Sequence, residues 1–143
     1  MADQLFFEDV REGDALPSLE KRPTTTQLVQ WAAAVGDFYP VHYDKDFANR
    51  AGLDTVILHG PLKHAFLADM IYRWMGPRGR IKRWAASYRG PDSPGGTFIV
   101  RGRVAKKSQE GGENRVELEI WGENGAGEKT TPGSATVILP SRG

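Results

Sequence analysis

From Leu62 to Met75, apolar residues fall at 62, 65, 66, 67, 70, 71, 74 and 75. They occupy well over half of a helical circumference, so a helix here must be buried on most of its sides. In a chain of 143 residues such a helix needs something to wrap around it. The second half of the chain supplies it. Segments 81–88, 97–105, 115–122 and 134–139 read as strands, the clearest being Val116-Glu117-Leu118-Glu119-Ile120-Trp121, with strict alternation. Turn-rich stretches at 90–96, 109–114 and 122–127 separate them. Successive hairpins of this kind build an antiparallel, twisted sheet with one face free to receive the helix. The expected class is therefore α+β.

The first half is organised by caps and breakers. Thr24-Thr25-Thr26 offers hydroxyls to cap a helix over 26–35, with Leu28, Val29, Ala32 and Val35 expected toward the core. Gly36 ends it, because glycine readily takes the left-handed conformation of a helix C-terminus. Residues 14–22 read as a further strand. Asp44 can cap a short helix through Phe47 to Ala51, closed by Gly52, and Val56-Ile57-Leu58 is a short extended run. His59-Gly60-Pro61 then turns into the long helix, with Pro61 suited to its first position.

Between the first two helices lies Gly36-Asp37-Phe38-Tyr39-Pro40-Val41-His42. Pro40 fixes its own φ and drives Tyr39 toward extended geometry, which stops helix propagation. A carboxylate and an imidazole are thus held on one stiff turn, as general acid–base chemistry requires. An aspartate after a helix-ending glycine is also a common turn residue, and a single histidine often serves structure alone. His59-Gly60-Pro61 is likewise compatible with an ordinary strand-to-helix turn.

Composition narrows the function classes. A net charge of +1 gives no global electrostatic case for nucleic acid or an anionic membrane. The absence of cysteine excludes disulfides and thiolate chemistry and fits a reducing cytosol. The start, Met1 to Asp9, carries acid where a secretory signal carries base, and no window approaches the ~18 apolar residues of a membrane span. A cytoplasmic protein with neither nucleic acid nor membrane as partner is expected. Arg78, Arg80, Lys82 and Arg83, with Lys63, could grip phosphates; a solvated strand edge is the favoured reading of that cluster. His64 reads as a packing or interface residue, and Trp31, Trp74, Trp84 and Trp121 read as core and interface anchors.

The run Gly36-Asp37-Phe38-Tyr39-Pro40-Val41-His42-Tyr43-Asp44, the later Val56-Ile57-Leu58-His59-Gly60, and the weaker match Tyr88 to Thr97 together resemble the MaoC-like, (R)-specific enoyl-CoA hydratase family, of hot-dog fold. The resemblance spans nearly the whole chain and implies one MaoC-like hot-dog domain over 1–143, an antiparallel sheet wrapped around one long central helix. It implies that Asp37 and His42 form the catalytic dyad, which adds water to a trans-2-enoyl thioester. It also implies that the Gly60 amide polarises the thioester carbonyl, with Tyr39, His59 and Leu62 as further substrate-binding residues. No metal or organic cofactor is implied, coenzyme A being part of the substrate; an acyl-carrier thioester is the other form considered. A homodimer is implied, or a heterodimer with another MaoC-like chain. Tyr39 stands where the family usually has asparagine, and Pro61 has no N–H to offer an oxyanion. A hot-dog thioesterase, or a non-catalytic acyl-CoA binder or partner subunit, are the alternatives.

Overall fold

The computed structural model describes residues 3–143; Met1 and Ala2, part of the acidic start, lie outside them. Five strands, β1 (Leu19–Lys21), β2 (Arg80–Ala86), β3 (Phe98–Glu110), β4 (Glu113–Asn124) and β5 (Lys129–Ile138), form one sheet in the order β1-β3-β4-β5-β2. Every neighbouring pair is antiparallel. The helices are α1 (Thr25–Val35), α2 (Lys45–Arg50) and α3 (Gly60–Met75). This is the hot-dog fold: the curled sheet is the bun and α3 its filling.

The curl has local causes. Register shifts interrupt the pairing of β3 with β4 at Val104/Lys106, of β4 with β5 at Gly122/Glu123, and of β2 with β5 at Ile81/Arg83, and such bulges bend strands and increase their twist. At Gly122 a Cβ would stand 2.0 Å from the tip of the Phe98 ring, so only glycine lets that ring lie flat on β4. The concave face carries Val100, Val104, Val116, Leu118, Ile120, Ala135 and Val137, all buried. Along β4 the alternation read from sequence is observed, with Val116, Leu118 and Ile120 inward. From α3, Leu62, Phe66, Leu67, Met70, Ile71 and Met75 fill the concavity.

Thr24 caps α1, its hydroxyl accepting from Gln27 N at 3.2 Å, and Gly36 ends it with φ of 77°. Two expected core residues are not in the core. Leu28 and Ala32 are buried, whereas Val29 and Val35 are each about half exposed. Val29 sits ~100° round the helix from Leu28, and Val35, on Leu28's own side, is the last helical residue and overhangs the packed region. The strands β3, β4 and β5 run longer than expected. Gly111 and Gly112, both with positive φ, close a two-residue hairpin between Glu110 and Glu113, where a six-residue turn is expected from composition. Positive φ at both positions matches the strand twist, so the pairing runs to the tip. Conversely, residues 14–22 yield only three residues of strand and an isolated bridge from Ala15 to Arg103, and β2 stops at Ala86, short of Tyr88.

Candidate active site

Asp37 and His42 sit on the connection between α1 and α2. Gly36 turns the chain out of α1, and Pro40 starts a single 3-10 turn, Pro40–His42, that carries His42 back toward Asp37. The Asp37 Oδ1 accepts the Tyr39 backbone N–H at 3.3 Å, a local bond that steadies the carboxylate. Its Oδ2 lies 3.9 Å from His42 Nε2. That is too long for a direct hydrogen bond and wide enough to admit a shared water.

The other edge of the His42 ring is committed. Its Nδ1 lies 2.7 Å from the Ile57 carbonyl oxygen. A carbonyl only accepts, so Nδ1 carries a proton, and Nε2 is the ring nitrogen turned toward Asp37, an acceptor whenever the ring is neutral. Ile57 N–H in turn donates to the Val41 carbonyl at 3.2 Å. The extended run before α3 is thereby paired to the acid–imidazole turn, a contact with no signal in local sequence.

His59 is fully buried and lies directly behind the pair. Its ring stacks on His42 with centroids 3.7 Å apart and planes at 20°, and its Nε2–H donates to the Asp37 backbone carbonyl at 3.2 Å. Burial, above all, pushes its proton affinity below that of an ordinary histidine. His59, expected among the substrate-binding residues, presents no exposed surface in this structure. Leu62 is likewise in the core cluster, 3% exposed, because it lies on the face of α3 turned to the sheet.

Gly60 opens α3. The His59 carbonyl accepts both the Leu62 and Lys63 amides, at 3.1 and 3.2 Å, and Pro61 has no N–H, so the Gly60 amide is the free donor of this turn, with no partner among the described residues. It stands at the positive end of a 16-residue helix. The missing Cβ has a further reason beyond ligand approach. One placed there would lie 2.5 Å from ring carbons of Tyr88, which packs over Gly60. Tyr39 lies at the mouth, more than half exposed, its ring edge-on to His42 and to Phe47.

Lys63 does not reach solvent phosphates. It is buried, its Nζ donating to Asp92 Oδ2 and to the Gly90 carbonyl, each at 2.9 Å. Asp92 also accepts from the Thr130 hydroxyl at 2.6 Å, and its carbonyl accepts Leu58 N–H at 2.8 Å. This buried network ties the segment that carries Tyr88 to the first turns of α3. A lysine between Leu62 and Phe66 in an apolar helix is the one sequence sign of it. Arg80 and Lys82 are both paired with Glu113, whose carboxyl is lowered to about 2, chiefly by Lys82. Arg78 follows the far end of α3, about 24 Å of helix from Gly60. The basic cluster is thus a solvated edge, remote from the acid–imidazole pair.

Asp37, His42 and His59 each offer a ligand atom within 4.8 Å of the others. The set does not suit a cation: imidazole lone pairs lie in the ring planes, and two stacked rings present them side by side rather than convergent. His42 Nδ1 and His59 Nε2 are moreover already donors. The arrangement suits proton transfer.

A cavity of about 320 Å³ is lined by Gly52, Leu53, Asp54, Thr55, Ile57, Pro91 and Ser93, beside the residue that anchors His42. A somewhat larger one, about 370 Å³, lies along the C-terminal half of α3 between Asp69 and Gly79, away from the pair. No helix among the described residues is long and apolar enough to cross a membrane.

An antiparallel sheet curled around one long helix defines a protein of the hot-dog fold, and in this chain an acid and an imidazole face each other at that helix's N-terminus. Residues 10–121 match the model of the MaoC-like domain family, and the chain belongs to that family. It is 28% identical to the (R)-specific enoyl-CoA hydratase of Rhodospirillum rubrum, over 96% of this chain and 94% of the relative. Its fold is shared with the unliganded R-hydratase PhaJ1 of Pseudomonas aeruginosa, at a TM-score of 0.88 and 24% identity over 97% of this chain and 88% of that one. The ChsH1–ChsH2 complex of Mycobacterium tuberculosis is similar at a TM-score of 0.80 and 22% identity, over 90% of this chain and 98% of that one.

Proposed function

We propose that this protein is a hydratase of 2-enoyl thioesters, a hydro-lyase that adds water to a trans-2-enoyl-CoA or acyl-carrier thioester to give the (R)-3-hydroxyacyl thioester, and catalyses the reverse dehydration. The observation that carries the reading is the 3.9 Å gap between Asp37 Oδ2 and His42 Nε2, two facing acceptors. A water about 2.8 Å from each donates one hydrogen to each. Its remaining lone pairs then point away from the protein, toward an electrophile. One of the two groups takes a proton from the water as its oxygen adds to C3, the C2=C3 π electrons shift toward the thioester, and a proton passes from the pair to C2 to give the 3-hydroxyacyl product. Both groups face the same water, so the roles of base and acid are assigned to the pair jointly.

Negative charge develops on the thioester oxygen in this step. The free Gly60 amide, aided by the α3 dipole, is placed to receive it. The activating group is the substrate's own carbonyl, and neither a metal nor an organic cofactor is required. The name of the R. rubrum relative, which aligns over nearly its whole length, supports the same reaction.

The test is loss of enoyl-thioester absorbance on a panel of short, long and bulky 2-enoyl-CoAs. Asp37→Asn and His42→Ala should each lower kcat by about 10²–10⁴-fold. Retention of wild-type turnover in both variants overturns the assignment. Release of free thiol without loss of the enoyl chromophore identifies a thioesterase instead.

We further propose that the working unit is a dimer paired along β2. That strand is an outer edge of the sheet with an exposed Trp84, and an open edge is stabilised by pairing. The similarity to the ChsH1–ChsH2 complex keeps a second MaoC-like chain as an alternative partner; this chain, bearing Asp37 and His42, would be the catalytic one.

A further inference from the structure

His59 touches both reacting residues and the oxyanion donor's helix, yet has no surface for a ligand. Its ring stacks on His42, its Nε2–H holds the Asp37 backbone, and its own carbonyl gathers the Leu62 and Lys63 amides, which leaves the Gly60 N–H free. Its Nδ1 is buried and has no partner among the described residues. Such an atom is costly to bury and gives no packing advantage over an apolar ring, which sets this histidine apart from a space-filling one.

We infer that His59 is a positioning residue of the Asp37–His42 pair, locking the imidazole face and the carboxylate backbone into one geometry relative to the Gly60 amide. With Nε2–H donating to a carbonyl, Nδ1 buried with no acceptor among the described residues to take a second N–H, and burial lowering its proton affinity, the ring is held neutral with its one proton at Nε2. The groups whose charges reach it are His42 and Asp37; burial opposes its protonation more strongly than either acts. A neutral ring 3.7 Å beneath His42 offers a π face to the imidazolium that forms when His42 holds the water's proton. A charged ring there would repel it. His59 therefore lets His42 gain and lose a proton while remaining neutral itself.

The functional half of this inference rests on the hydratase reading; the structural half does not, and the experiment separates them. Two substitutions divide the contacts: His59→Phe keeps a stacking ring and removes the donor, and His59→Gln keeps a donor and removes the ring. Each should lower kcat by about 10²-fold through misplacement of the reacting groups, with KM changed less than about threefold on the same grounds. The pH–rate profile should move in His59→Phe and His59→Gln alike. In ¹⁵N–¹H spectra of the wild-type protein without substrate, His42 should appear protonated at Nδ1. His59 should appear protonated at Nε2 and not titrate through the neutral range. Wild-type kcat and pH profile in both variants overturn the proposal, as does a His59 that titrates near neutrality or carries its proton on Nδ1. If the variants fail to fold, the wild-type spectra still decide the structural half; if the protein hydrates no enoyl thioester, those spectra stand apart from that failure.

Discussion

Gly60 shows how one residue can serve packing and chemistry together. In sequence, a glycine between His59 and Pro61 looks like freedom for a turn or room for a ligand. In the structure its α-hydrogen side is covered by the Tyr88 ring, while its amide stays free at the head of α3. A methyl at this position has to displace either Tyr88 or the helix start. We expect Gly60→Ala to cost about 1–3 kcal/mol, as overpacking does, and to lower kcat. In a Tyr88→Ala background most of that stability cost should vanish, leaving a coupling of about 0.5–3 kcal/mol in a double-mutant cycle read by urea unfolding. Equal costs in both backgrounds would show that the ring does not set the requirement for glycine.

At the level of elements, the first turns of α3 are anchored by a buried ion pair rather than by a cap. Lys63 and Asp92 are 3% and 5% exposed in their side chains, and Asp92 Oδ1 has no partner among the described residues. Removing one charge strands the other. Lys63→Met should destabilise the fold by about 3–5 kcal/mol, and adding Asp92→Asn should recover part of it, since an amide can still bond the Thr130 hydroxyl. Equilibrium unfolding of the two variants checks this; equal losses would mean that the charge of Asp92 is not what the lysine neutralises. The same region shows what periodicity conveys and what it omits. Apolar spacing placed α3 and its inward face correctly, but treated Lys63 as a solvent residue, because the partner that permits its burial lies 29 residues away. Caps were more legible: Thr24, Gly36 and Asp44 act on amides or carbonyls within four residues.

For the whole molecule, the sheet leaves β1 and β2 as its outer strands, and β1 is only three residues long. If β2 pairs with a second copy, light scattering should give twice the 15.8 kDa chain mass, and Trp84→Glu should shift the population toward monomer by placing a charge in the pairing edge. A wild-type protein that remains monomeric at micromolar concentration would remove the dimer. The architecture itself followed from one long buried helix and four strand segments, since a helix apolar on most sides must be covered and the strands of the second half are what the chain offers to curl around it.

Beyond that overall plan, what the amino-acid order determined by itself was local: the strand alternation of β4, the approximate helix boundaries, and the stiff turn that brings Asp37 and His42 within five residues of each other. Their productive geometry was decided by tertiary structure. The proton on His42 Nδ1 is set by Ile57, 15 residues on, and the ring is backed by His59, which holds Asp37 from 22 residues away. Those contacts exist only after the extended run before α3 has packed against the turn, and hydrogen bonds and stacking made across such a distance leave no periodic trace in the chain that makes them.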